Sequence, residues 1–130
     1  MQQDSAEPKP VRWVGRSKQD IRSFPRAVRR RLGGALWDAQ IGEKAPWAKP
    51  LKGFGGGTVL EIVDDFDGNA YRAIYTVRFA NAVYVLHAFQ KKSKRGIATP
   101  RKELHVIEER LKRAREDYEQ WQEGESPKRA

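Results

Sequence analysis

The segment Ala82–Lys92 reads AVYVLHAFQKK, and the one before it, Asn69–Phe79, reads NAYRAIYTVRF. Val83, Tyr84, Val85, Leu86, Ala88 and Phe89 are apolar on both parities of an extended chain. A strand with two apolar faces belongs inside a sheet that is covered on both sides. The run then turns cationic at Lys91, Lys92, Lys94 and Arg95. A buried strand that ends in clustered positive charge sets a polyanion site on a rigid base. In the preceding segment Tyr71, Ala73, Tyr75, Val77 and Phe79 alternate with positions that include Arg72, Thr76 and Arg78. That alternation predicts a strand over 69–79 with one core face and one partly polar face. Ala80-Asn81 predicts a tight turn between the two strands. Upstream, Thr58–Asp64 (TVLEIVD) predicts a third strand, and Asp67-Gly68 signals a hairpin turn. Together these make an antiparallel three-stranded meander.

Helical periodicity flanks the meander. Pro25 suits a first helical turn. Val28, Leu32, Ala35, Leu36 and Ala39 then form one apolar stripe, with Arg26, Arg29, Arg30 and Arg31 mostly off it. Gly33-Gly34 inside that helix implies either close packing there or a break, and Gly42 ends it. Before it, Val11–Val14 reads as a short strand broken by Gly15, and Ser17 as the N-cap of a short helix over 17–24. After the meander, Thr99 as N-cap and Pro100 at the first position open a long helix. Its stripe is Leu104, Ile107, Leu111, Ala114, Tyr118 and Trp121, at spacings of three and four. The stripe itself does not say whether it packs on this sheet or on a partner. Residues 1–10 read as a disordered leader, 11–121 as one domain and 122–130 as a flexible tail.

Residues 1–100 hold 18 Lys/Arg and 9 Asp/Glu, while residues 101–130 hold 8 of each, so the net charge of +9 lies on the first 100 residues. That placement favours an acidic partner, nucleic acid or acidic protein. The absence of cysteine excludes disulfides and thiolate metal sites. With His87 and His105 the only histidines, no metal or other cofactor is expected. No apolar run approaches the roughly 20 residues of a membrane span, and the start lacks an apolar signal core. The expectation is a cytoplasmic protein with no membrane partner.

Residues 43–57 (EKAPWAKPLKGFGGG) read as a loop, because two prolines and four glycines oppose a regular element. Gly55-Gly56-Gly57 lacks the Gly-Lys-Ser/Thr ending and preceding strand of a phosphate-cradling P-loop. It reads as a flexible approach to the next strand.

The order strand, two helices, meander, helix carries further motifs. KPLKGFGGG precedes the meander, YRAIY lies on its middle strand, and VYVLHAFQKKSKRG with TPRKEL follows. In these the chain resembles the RelE/ParE toxin superfamily, and within it the HigB-like, phage-derived branch, over about residues 11–118. The resemblance implies an α+β fold: a small RelE-like domain whose curved antiparallel sheet (short N-terminal strand plus the meander) is flanked by two N-terminal helices and a long C-terminal one. It implies the toxin of a type II toxin–antitoxin system, an endoribonuclease that cuts mRNA on the ribosome and is neutralised by a cognate antitoxin, often of helix-turn-helix type. The ParE branch poisons DNA gyrase instead, and a non-catalytic basic nucleic-acid-binding module is a further alternative. Carried over by motif, the cationic cleft is Lys52, Arg72 and Lys91, with Lys92 as alternate. Relatives often carry a C-terminal Tyr or His as a further catalytic group, but His105 and Tyr118 match no motif, so the general acid is unassigned.

Cleavage by a 2′-hydroxyl needs a base, cations for the phosphorane charge and an acid for the leaving oxygen. Arg72 suits the phosphorane, because guanidinium grips two phosphate oxygens and stays charged. Lys52 or Lys91, crowded by other cations, suits proton transfer. Lys49, Lys92, Lys94 and Arg95 suit the RNA backbone, and Phe89, Trp47 or Phe54 can stack on a base. Plainer readings stand beside these. Arg72 can pair with Glu61 or Asp64, Lys91 and Lys92 can guard a sheet edge, and His87 reads as a hydrogen-bonded core histidine.

Overall fold

The computed structural model describes residues 7–92 and 99–125. Among the described residues five strands and three helices follow in the order β1 (Val11–Trp13), α1 (Ser17–Arg22), α2 (Arg26–Gln40), β2 (Lys49–Pro50), β3 (Val59–Phe66), β4 (Asn69–Thr76), β5 (Val83–Lys92) and α3 (Arg101–Glu125). They form one open sheet of order β1-β5-β4-β3-β2. The meander β3-β4-β5 is antiparallel, as the turn signals require. Asp67 and Gly68 take φ of 53° and 81°. Those left-handed values at both central positions match the twist of the flanking strands and fix the pairing of Phe66 with Asn69.

The sheet is mixed where an antiparallel one was expected, because β1 runs parallel to β5, with Val11 opposite Val83. Residues 43–57 also depart from a plain loop. Lys49-Pro50 pairs with β3 as an edge strand, where proline's missing N–H costs nothing. Gly55–Gly57 makes a tight turn in which Gly56 and Gly57 take left-handed φ of 86° and 69°. β4 stops at Thr76 rather than Phe79. A bulge between Ile74 and Tyr75 turns both Leu86 and His87 toward the same side.

Both faces of the sheet are covered. On one, the α2 stripe Val28, Leu32, Ala35, Leu36 and Ala39 packs on Leu60, Ile62, Tyr71, Ala73, Tyr75, Val83 and Val85. On the other, Ile107, Leu111 and Ala114 of α3 pack on Val59, Ile74, Tyr84 and Leu86, with Leu104, Tyr118 and Trp121 at the margins. The α3 stripe is therefore satisfied at home. β4 consequently has two buried faces instead of one core and one polar face: Arg72, Ile74 and Thr76 lie under cover as completely as Tyr71, Ala73 and Tyr75. At the far end of α3, Arg12 Nε donates to Asp117 at 2.9 Å while its guanidinium lies 4.7 Å from the Trp121 ring centre. Tyr84 donates to the same carboxylate at 2.6 Å.

Gly33 and Gly34 neither break α2 nor pack closely, for a Cβ added at either would meet nothing within 4 Å. Ser17 is not a cap; its hydroxyl donates to the Val85 carbonyl at 3.2 Å and ties α1 to β5. Lys9 and Pro10, read as leader, are hydrogen-bonded to Gln40 and Val83, and α3 continues to Glu125 past the expected start of the tail.

Candidate functional site

Arg72 stands in the middle strand with Val63 on β3 and Phe89 on β5 as its lateral neighbours. Only 7% of it is exposed. A buried guanidinium needs a counter-charge, and register decides which. Glu61 lies opposite Ile74 and so shares Arg72's face, whereas Asp64 lies opposite Tyr71 and points to the other side. Arg72 Nη1 accordingly donates to Glu61 Oε2 at 2.6 Å and to Thr99 Oγ1 at 3.3 Å. The Thr99 hydroxyl donates in turn to Glu61 at 2.9 Å. Thr99 thus serves the buried ion pair, and Pro100 carries the carbonyl that accepts from Glu103 and Leu104 at the start of α3. Asp64 sits 3.4 Å from Arg31. Burial pushes its carboxyl above the ordinary range, with Arg31 opposing.

One strand further along, His87 is buried with both ring nitrogens engaged. Nε2 lies 2.6 Å from Glu103 Oε1, and Nδ1 lies 3.2 Å from Arg110 Nη1. Guanidinium only donates, so Nδ1 accepts and Nε2–H faces the carboxylate. This is the hydrogen-bonded core histidine that its apolar flanks suggest. Arg110 also donates to the Leu86 carbonyl at 3.0 Å. Burial lowers its pKa, with Arg113 acting in the same direction. Its guanidinium fits against Gly15, where an added Cβ would stand 2.7 Å from the guanidinium carbon. Sequence reasoning passed over Arg110 entirely; its one trace is the glycine that makes room for it.

The register gathers part of the expected cluster. Phe89 and Lys91 lie on Arg72's face, Lys91 opposite Ala70, and the Phe89 ring centre is 5.0 Å from that of His87. Lys49 lies opposite Glu61 in the same transverse row. Lys52 is exposed beyond β2 and makes no described contact with Arg72. Lys92 is paired through its main chain with Asn69. Lys94 and Arg95 lie outside the described residues. Trp47 is exposed beneath Arg31, whose guanidinium is 5.1 Å from the ring centre. Tyr118 stacks on Phe79 at 4.8 Å in the second core cluster, and His105 is exposed on α3. Among the described residues no group of His, Asp and Glu is placed to hold a metal ion, and no helix is long and apolar enough to cross a membrane.

The family model for "Phage derived protein Gp49-like (DUF891)" matches residues 19–112, which include the whole sheet except β1 and the first half of α3. The chain belongs to this phage-derived Gp49-like family. Its fold is that of the Escherichia coli toxin RelE. A free-state RelE variant with two arginines replaced by alanine superposes with a TM-score of 0.52 at 19% identity, covering 82% of this chain and 98% of that one. Isolated RelE superposes with a TM-score of 0.50 at 21% identity, with the same coverage. A chain of the RelBE2 toxin–antitoxin complex from Mycobacterium tuberculosis aligns over 70% of this chain and all of its own, at 20% identity and a TM-score of 0.37. No curated protein shows significant sequence similarity. The two RelE likenesses give the Gp49-like chain a RelE-like fold.

Proposed function

We propose that this Gp49-like chain is the toxin of a type II toxin–antitoxin pair and cuts mRNA on the ribosome by attack of a 2′-hydroxyl. The observation that carries this reading is the grouping of Arg72, Glu61, Phe89 and Lys91 on one face of a RelE-like sheet. A 2′-hydroxyl attack needs a proton acceptor beside a fixed cation. Glu61 and Arg72 supply that combination at 2.6 Å. In this role Glu61 takes the hydroxyl proton as the 2′-oxygen bonds to phosphorus, Arg72 turns toward the phosphate oxygens, and Lys91 stabilises the charge of the phosphorane. The P–O5′ bond then breaks, leaving a 2′,3′-cyclic phosphate, and the 5′-oxygen takes a proton from solvent. Phe89 offers a face on which a base stacks. In this role Arg72 exchanges its bonds to Thr99 and Glu61 for phosphate oxygens, so binding of RNA and loosening of Thr99 go together. Lys49, Lys52, Lys92, Lys94 and Arg95 are proposed to hold the backbone.

A cognate antitoxin is proposed to neutralise the chain in the cytoplasm by covering this cationic face with acidic groups, an association that weakens as salt rises. The test is expression of the chain with translation and DNA integrity followed separately. Early arrest of translation with intact DNA is expected, and Lys91→Ala should relieve it. Gyrase-dependent DNA breaks with translation unaffected would overturn the reading.

A further inference from the structure

A cleft of about 470 Å³ opens between the loop that follows β2 and the middle of α3, and it shares no residue with the Arg72 and His87 networks. Its walls carry Phe54, Arg78, Glu108, Leu111, Lys112 and Arg115. The four α3 positions fall at i, i+3, i+4 and i+7, so one helix face presents them all. Among the described residues none of the three cations has an ion-pair partner. Arg78 is steered by a bond from its Nε to Thr58 Oγ1 at 3.1 Å. Phe54 is half-buried against the second core cluster and keeps part of its ring on the cleft. The cleft thus collects three positive charges against one negative, beside an anchored aromatic ring.

Unpaired cations that converge in a recess repel one another, and a bound anion relieves that repulsion. The volume falls in the range of small-ligand sites, roughly 300–1,000 Å³. Guanidinium and ammonium groups suit phosphate oxygens, and an aromatic face beside them suits a base. We propose that this cleft binds a nucleotide unit of single-stranded RNA, its phosphate on Lys112 and Arg115 with Arg78 alongside, and its base on Phe54. Side chains do this work, so the absence of a P-loop signature in the neighbouring glycines is no obstacle. The site is separate from the proposed cleavage face and binds whether or not the chain cuts RNA.

The test uses the full chain and a fluorescent all-2′-O-methyl hexanucleotide, which cannot be cleaved, with anisotropy read across a salt series. Lys112→Glu/Arg115→Glu should weaken binding at least about tenfold. Losing that phosphate contact should also lower the slope of log affinity on log salt by about 0.7, the value per neutralised phosphate for single strands. Lys112→Gln/Arg115→Gln should move both readings the same way, and it serves where charge reversal disturbs α3. Phe54→Leu should weaken the hexanucleotide while leaving competition by inorganic phosphate unchanged. Lys18→Glu/Arg22→Glu, on exposed positions of α1, makes the same change in net charge away from the cleft and serves as the control. Affinity and slope in a folded Lys112/Arg115 variant equal to those of the Lys18/Arg22 control would overturn the proposal. So would equally effective competition by adenosine monophosphate, which points to a free nucleotide, or by an oligo-glutamate peptide, which points to an acidic protein.

Discussion

Replacing Glu61 by Gln removes a counter-charge from beside an arginine that is only 7% exposed. Breaking one side of a buried ion pair costs about 3–5 kcal/mol, because the remaining charge stays out of water without compensation. The Gln oxygen still accepts a bond from Arg72, and the Glu61 side chain is 16% exposed, so the lower end, about 3 kcal/mol, is expected. At roughly 2.1 cal/mol/K per residue the unfolding entropy of 130 residues is about 0.27 kcal/mol/K, which makes that loss about 11 °C in Tm. Arg72→Met should cost less, about 2 kcal/mol, since Glu61 keeps the Thr99 hydroxyl and some solvent. The double variant Glu61→Gln/Arg72→Met should fall well short of the sum, with a coupling on the order of 2 kcal/mol. Urea unfolding followed by tryptophan fluorescence measures all three. Single variants within about 0.5 kcal/mol of the parent, with no coupling, would refute the account of Arg72 as a buried, paired cation. A positive result carries a warning for assays of function. Loss of activity in Arg72→Ala mixes stability with chemistry, whereas Lys91→Ala, half-exposed at the strand end, tests chemistry more cleanly.

Gly33→Ala and Gly34→Ala should each raise stability by roughly 0.5–1 kcal/mol, because both lie inside α2 with open space around the added methyl, and a thermal melt reads the gain. Gly15→Ala should lower stability by at least about 1–2 kcal/mol, since φ is +59° and the Cβ would strike the Arg110 guanidinium; Arg110→Ala should relieve only the contact part in a double-variant melt. Asp117 is held below its ordinary value of 3.8 by the hydrogen bond from Arg12 first and that from Tyr84 next, with burial opposing. A depressed carboxylate adds stability that is present above the unfolded value and lost as pH falls through the folded one. The parent should therefore lose more stability than Asp117→Asn between about pH 5 and about pH 2, and equal losses in parallel urea titrations would contradict the Arg12–Asp117 clamp.

Legibility in the sequence followed the strength of each physical signal. The stripes of α2 and α3 repeat over several turns, so the residues that recur at helical spacing are the ones that pack. The Asp67-Gly68 turn demands positive φ at two successive positions, and few sequences offer it. β1 and β2 have three and two residues, too few for any period, so the parallel pairing with β5 and the edge pairing with β3 left no trace. Ser17 and Thr99 look like caps, but a buried carbonyl and a buried carboxylate claimed their hydroxyls. The choice between Glu61 and Asp64 as partner for Arg72 was within reach: strand alternation alone puts Asp64 on the wrong face. The cleft between Phe54 and α3 was not, because its residues lie in three separate segments and meet only when α3 docks.

The central claim, that the face holding Glu61, Arg72 and Lys91 cleaves ribosome-bound mRNA, is tested most directly by product chemistry. An end-labelled mRNA is incubated with the chain, with and without 70S ribosomes, beside a copy carrying a single 2′-deoxy nucleotide at the cut position. The account predicts cleavage only with ribosomes, a 2′,3′-cyclic phosphate end, protection by the deoxy substitution and loss of cleavage in Lys91→Ala. Cleavage that survives the deoxy substitution, or no cleavage from a folded sample that still arrests growth, would contradict it.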